Sequence, residues 1–388
     1  MSGGRKVTVP LKLVLILVMI IVHFAGDYAS AREAAFKNKR AILDGDIGEW
    51  TKKEELDERL QRIKKAGFNV YMPAVWFGRG TTWPSRHASW DFTLKPNGTE
   101  HRDPLRYAIT KAHELGIEVH PWFTLVFRWN HSFMPEYGLE GVSEGPHAAF
   151  DVHNPAFRAF MTQLVQEVAS NYEVDGINLD FARAMGLCGS STCEQEYQAL
   201  YNRSLSIDSL AFKISPKQVP TLIQYQEAAV TALIKSISDS LRAVKPSLLI
   251  SVDGHPELVQ YMQGQNTVEW VKTGLIDVIL QMDYHPKINV SATDAVRSRM
   301  NDPEALTLLI SNMAYGADRP GSMKPYPRSG PWMANTISMI RTRWPNTGIA
   351  VYFYKYLTDE QIAALKEGPF STLEDTAAPS PPSRIRVN

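Results

Sequence analysis

The chain has 388 residues, 41 Lys+Arg against 41 Asp+Glu, and 44% hydrophobic residues. A formal net charge of zero argues against a protein that grips nucleic acid by its phosphates, which takes concentrated positive charge. Its apolar content is that of a folded globular chain, and two cysteines exclude a disulfide-dense miniprotein or a multi-cysteine zinc module.

Arg5 and Lys6 precede an apolar stretch from Leu11 to Phe24, broken by Lys12, and small residues follow at Ala29-Ser30-Ala31. This layout predicts a secretory signal peptide over residues 1–31, cleaved after Ala31. The run is shorter than the roughly 20 residues of a bilayer span. The mature protein is therefore expected to be secreted or periplasmic and free of the membrane; uncleaved, the segment would be an anchor.

Eight apolar runs follow, at Ala41–Leu43, Asn69–Trp76, Glu118–Val126, Gly176–Phe181, Leu248–Asp253, Asp277–Asp283, Thr307–Met313 and Gly348–Tyr354. Helical patterns separate them. Thr51 with Glu54 and Thr358 with Gln361 predict capping boxes, and Asp103-Pro104 and Asn154-Pro155 each set a cap residue before a proline. Ser215-Pro216 predicts the opening of another helical region, ahead of a long helix from about Leu222 to Val244. Gly67, Gly116 and Gly274 stop helices just before the next strand. Strand–helix alternation requires parallel strands with right-handed crossovers. Eight such units predict an α/β fold, a single-domain (β/α)8 TIM barrel over residues 32–373, with a Pro-rich tail or linker at 374–388.

In such a barrel the chemistry belongs at the carboxyl ends of the strands. Side chains two apart share a face, which groups Asn178 with Asp180, Ser251 with Asp253 and His255, and Gln281 with Asp283 and His285. His120, Trp122, Trp76, Tyr352 and Tyr354 join them from other strands, and Tyr284, Tyr315 and Arg183 from the loops. A buried carboxylate is costly unless paired, and a salt bridge to Arg183 or a loop is one reason for it. Glycosidic cleavage is the other, because it needs one carboxylic acid and one carboxylate. Neighbouring carboxylates split their pKa values, and aromatic rings suit the apolar face of a sugar. Asp46, Glu49 and Glu257 are further loop carboxylates. There is no H-x-H or H-E-x-x-H pair, Walker loop or G-x-S-x-G elbow, so no metal or cofactor is expected. Cys188 and Cys193 are expected to form a disulfide across a small loop. The alternative is half of a zinc site, for which further thiols or clustered histidines are missing.

The run Val174-Asp175-Gly176-Ile177-Asn178-Leu179-Asp180-Phe181-Ala182-Arg183 resembles the fourth strand of the family-10-like glycosyl hydrolases of the DUF187 type. Three other stretches agree: Gly116 to Phe123, Phe150 to Arg158, and Asp277 to Tyr284. The resemblance spans roughly Arg40 to Tyr356. It implies an exported barrel hydrolase acting on a polysaccharide such as peptidoglycan glycan or an exopolysaccharide. The related poly-N-acetylglucosamine hydrolase domains use a fourth-strand aspartate that maps onto Asp180. Where the family continues Arg-Tyr-Pro, this chain has Ala184-Met185 after Arg183. The chain is also similar to family 18 chitinases through Asp175, Gly176, Asp180, Met282 and Tyr284, but Asn178 and Ala182 stand where that family has acids.

By analogy with alpha-galactosidase-like barrels, Asp180 and Asp283 are the expected catalytic pair, with Asp253 and His255 in reserve. Trp76, His120, Trp122, Asn178, Arg183, Asp253, His255, Gln281, Tyr284, Tyr315 and Tyr354 are the expected substrate-binding residues. The expected partner is a polysaccharide or oligosaccharide bound by a monomer. A catalytically silent carbohydrate-binding barrel is the alternative, and a lyase or deacetylase a third.

Overall fold

A computed structural model describes residues 36–94, 102–143, 148–258, 263–319 and 322–371. The expected signal peptide and tail lie outside the described residues. Eight strands carry the barrel: β1 (Arg40–Asp44), β2 (Val70–Trp76), β3 in two pieces (Glu118–Val119 and Trp122–Thr124), β4 (Gly176–Asp180), β5 (Leu249–Gly254), β6 (Val278–Asp283), β7 (Leu306–Ser311) and β8 (Ile349–Tyr352). Each pairs in parallel with its neighbours, and β8 returns to β1, so the sheet closes without an edge. This is the expected (β/α)8 TIM barrel.

One helix or more follows each strand: α1 (Lys53–Ala66), α2 (Pro104–Glu114), α3 (Pro155–Asn171), α4 (Pro220–Val244), α5 (Thr267–Lys272), α6 (Val290–Arg297), α7 (Gly330–Arg343) and α8 (Asp359–Glu367). Asp103 and Asn154 cap α2 and α3, as their positions just before a proline predict. Gly67, at φ 89°, ends α1 in the left-handed conformation and its N–H reaches the carbonyl of Lys64.

Several local expectations change. The Thr51 hydroxyl does not cap α1; it donates to the Ile47 carbonyl at 2.6 Å, closing the short helix Ile47–Trp50 that precedes it. Thr358 does cap α8, but the Gln361 amide reaches Asn312 and Arg328 carbonyls instead of completing a box. Pro121 has no N–H to give, and it breaks the third strand. Strand seven stops at Ser311, because Asn312 turns inward to accept from Phe353 N at 2.8 Å and donate to Gln361 at 3.1 Å. Beyond it, Met313–Arg319 and Ser322–Pro327 form an antiparallel hairpin. Ser215-Pro216 opens only a 3-10 turn, and α4 begins at Pro220. Between β4 and α4 lie two added helices, Ser191–Tyr201 and Leu205–Ile214, packed on a small core of their own around Tyr197 and Phe212.

The barrel has two apolar layers. Ile42, Tyr71, Ile177, Ile250, Ile279, Leu308 and Val351 pack outward against the helices. Ala41, Met72, Trp122, Val278, Leu280, Leu309 and Ala350 fill the interior, as required of a barrel this narrow. Since side chains alternate, these two sets fix which face every polar residue occupies.

Candidate active site

On β4, Ile177 and Leu179 belong to the outer layer, so Asn178 and Asp180 face the interior. On β5, Ile250 and Val252 are outer, and Ser251 and Asp253 face inward. Leu179 pairs with Val252, so Asp180 and Asp253 come next on adjacent strands at the carboxyl rim. Backbones of paired strands stand about 4.8 Å apart, and both carboxyls are nearly buried, at 9% and 1% exposed. Asn178 donates from Nδ2 to Asp253 Oδ1 at 2.8 Å and to Ser251 Oγ at 3.1 Å.

The two acids have different surroundings. Burial pushes the Asp253 carboxyl well above the usual carboxylate range, and the charge of Asp180 pushes it further; the Asn178 amide only partly offsets this. Asp180 is also raised by burial, but four groups work against the rise. The Phe181 N–H donates to it at 2.6 Å and the Trp122 indole at 3.3 Å, while Arg183 and His255 lend positive charge. Asp253 is thus the better proton holder and Asp180 the better anion.

Asp283 is placed differently. Ile279 packs outward and Leu280 inward, so Gln281 and Asp283 share the helix-facing side of β6. Both Asp283 oxygens are engaged by its own loop: Oδ1 accepts from His285 N at 3.2 Å and meets His285 Nδ1 at 2.8 Å, and Oδ2 accepts from Asn289 N at 2.8 Å. From this strand it is Leu280 and Met282 that take the interior side.

Aromatic rings run outward from the carboxyls. Trp122 packs edge-on against Phe77 at 5.8 Å and Tyr352 at 6.4 Å, and Tyr352 stacks on Tyr284 at 5.5 Å. Phe77 continues through Phe127 to Trp129, over which the Arg79 guanidinium sits at 4.6 Å. Tyr284, Trp129 and Phe92 expose 38%, 38% and 54% of their surface. Although Tyr284 keeps that exposure as a residue, its phenol is driven well above its ordinary value by burial and by the charges of Asp253 and Asp180. Tyr352 is pushed up to about 12 by burial and by Asp180.

The other expected residues divide. Arg183 stacks on Phe181 at 4.8 Å and donates to Gln263 at 3.2 Å; His255 meets Glu257 at 3.1 Å. Both flank Asp180. Exposed Tyr315 stands on the hairpin, outside the buried carboxyl pair. Trp76 is fully buried in the outer layer among Phe133, Phe150 and Phe160. His120 lies at the opposite end of the barrel, against Gly176 at the start of β4 and beside Glu118 at 3.2 Å. Tyr354 stacks under Arg59 at 4.5 Å, by the buried pair of Arg59 and Asp44. Asp46 joins that pair at 3.9 Å from Arg59, and Glu49 bonds Lys52 at the surface. Phe77, Phe92, Phe127 and Arg79 are wall residues that sequence reasoning missed; Phe77 follows β2 with no polar marker.

Cys188 and Cys193 form the expected disulfide.

A closed parallel barrel with two buried carboxyls at its carboxyl rim and aromatic walls defines a glycosidase-type site. The chain belongs to the glycosyl hydrolase-like 10 family, which it matches over residues 42–316, and it is a glycoside hydrolase. It is 22% identical over 319 residues to the glycosyl hydrolase DigH of Escherichia coli (strain K12), covering 72% of this chain and 68% of that one. In fold it is similar to the PgaB (BpsB) glycoside hydrolase domain of Bordetella bronchiseptica, with a TM-score of 0.59, 12% identity, and coverage of 84% of this chain and 95% of that one. The catalytic domain of beta-amylase from Paenibacillus polymyxa gives a TM-score of 0.57 at 11% identity, covering 87% of this chain and 99% of that one.

Proposed function

We propose that the protein is an exported glycosidase that cleaves a cell-wall or extracellular polysaccharide built of amino sugars, using Asp253 as the acid and Asp180 as the nucleophile or base. One observation carries this reading: Asp180 and Asp253 are adjacent, buried and inward-facing, and burial raises both, Asp253 well above the more strongly offset Asp180, so the proton is held on Asp253 first. Asp253 protonates the leaving glycosidic oxygen. Asp180, held by the Phe181 N–H and the Trp122 indole, meets the positive charge that develops on the sugar ring. Asn178 holds the Asp253 carboxyl, and Tyr284, Tyr352 and Trp122 form the wall on which a sugar face lies.

Export rests on the first 31 residues of the sequence and agrees with the disulfide. Among the described residues no helix is long and apolar enough to cross a membrane. The amino-sugar reading rests on the family resemblance read from the sequence.

The test is product analysis on purified peptidoglycan glycan and on poly-N-acetylglucosamine. New reducing ends released by the wild-type protein and lost in Asp180→Asn support the reading. Binding without product, or equal product from Asp180→Asn, overturns it.

A further inference from the structure

Asp151, His153, Cys188 and Cys193 are all buried, and each offers a ligand atom within 4.8 Å of the other three. Asp151 and His153 belong to the loop ahead of α3; Cys188 ends the short strand Gly186–Cys188, and Cys193 lies in the first turn of Ser191–Tyr201. The zinc partners missing from the neighbourhood of the cysteines in sequence are thus supplied by another loop. His153 is fixed by stacking on Tyr225 at 4.4 Å and by Nδ1 at 3.3 Å from Asp151 Oδ1. Its Nε2 is buried with no hydrogen-bond partner among the described residues. A buried imidazole nitrogen left without a partner is costly, and metal ligation is one of the few things that satisfies it.

We propose that these four residues form a zinc site in the dithiol form of the chain, exchanging with the Cys188–Cys193 disulfide. Two thiolates, one imidazole and one carboxylate suit tetrahedral Zn2+, with Zn–S near 2.3 Å. That geometry separates the two sulfurs to about 3.8 Å, a small opening for cysteines whose Cα atoms already stand 6.3 Å apart. With a phosphine reductant, one water supplies oxygen to phosphorus, the S–S bond breaks and two S–H groups form. Zn2+ then replaces the two thiol protons, which pass to solvent. The disulfide closes a loop only within one segment, whereas the metal ties the loop ahead of α3 to the segment that follows Arg183.

The experiment uses the full chain, reduced with phosphine or kept oxidised, incubated with zinc sulfate and desalted. About one zinc per chain is expected in the reduced form and none in the oxidised form. X-ray absorption of the reduced wild type is expected to show two sulfur and two nitrogen or oxygen ligands. His153→Gln and Asp151→Asn should each weaken zinc at least about 10-fold, with circular dichroism confirming the fold. A reduced chain without zinc, a first shell without sulfur, or equal zinc in the oxidised chain overturns the proposal. The absorption measurement decides it even if a variant fails to fold.

Discussion

Asn178 on β4 donates its side-chain amide to Asp253 on β5 at 2.8 Å, and with its contact to Ser251 this bond ties the polar face of one strand to that of the next. The Asn178 amide also lowers the Asp253 carboxyl against burial and the charge of Asp180. Asn178→Ala removes the donor, so Asp253 rises further. The descending alkaline limb of kcat/KM should then move to higher pH, because an acid that holds its proton longer stays active longer. A limb that stays still, or moves to lower pH, contradicts the role of Asp253 as acid.

Trp122→Phe keeps a ring between Phe77 and Tyr352 and deletes only the indole N–H that reaches Asp180 at 3.3 Å. The Asp180 anion loses a donor, so the acidic limb of the profile should shift upward. A loss in kcat/KM of about 3- to 10-fold is expected, the worth of one modest hydrogen bond to a charged group. An unchanged profile would remove the indole from the mechanism.

Stability carries the same signature. Asp253 is raised in the folded protein above its ordinary 3.8, so the folded state binds its proton more tightly than the unfolded chain does. Stability from this group is therefore present below pH 3.8 and is lost as pH rises toward the folded value. Asp253→Asn removes the penalty. Its Tm should exceed that of the wild type at pH 7, and the gap should close near pH 4. Glu118 behaves oppositely: burial raises it, but the hydrogen bond and charge of His120 and the charge of Lys39 prevail and hold it at about 2. Its contribution is present above its ordinary 4.5 and fades as pH falls toward about 2. Glu118→Gln should cost stability at pH 7 and little near pH 2, read by thermal melts at both pH values.

Asp283 accepts backbone N–H groups from His285 and Asn289 on its two oxygens. Asp283→Asn places an amide against one of those donors. A loss of about 1–3 kcal/mol is expected in denaturant unfolding, the usual cost of a buried donor left unsatisfied. No loss of stability would remove the structural role given to this carboxylate.

Much of this was legible in the sequence, for reasons visible in individual residues. The eight strands announced themselves as apolar runs bounded by glycine stops and by cap residues such as Asp103 and Asn154. The facing of β6 did not. A parallel strand is buried on both sides, so Ile279 and Leu280 look alike in sequence while one meets the helices and the other the interior. Without that parity, Asp283 reads as an equal of Asp253. On β4, by contrast, the polar Asn178 and Asp180 alternate with the apolar Ile177 and Leu179, and their shared face could be read directly. His120 and Trp76 carried the right chemistry at the wrong end or on the wrong side, which spacing along the chain does not reveal. The joining of Asp151 and His153 with Cys188 and Cys193 depends on loops brought together only by the fold.

The most direct test sets Asp253→Asn beside Asp283→Asn on a hydrolysed glycan, below the melting temperature of both. Asp253→Asn should lose about 100-fold or more in kcat/KM, as expected for removal of a general acid, while Asp283→Asn stays within about threefold of the wild type. An inactive Asp283→Asn alongside an active Asp253→Asn would contradict the pairing of Asp180 with Asp253.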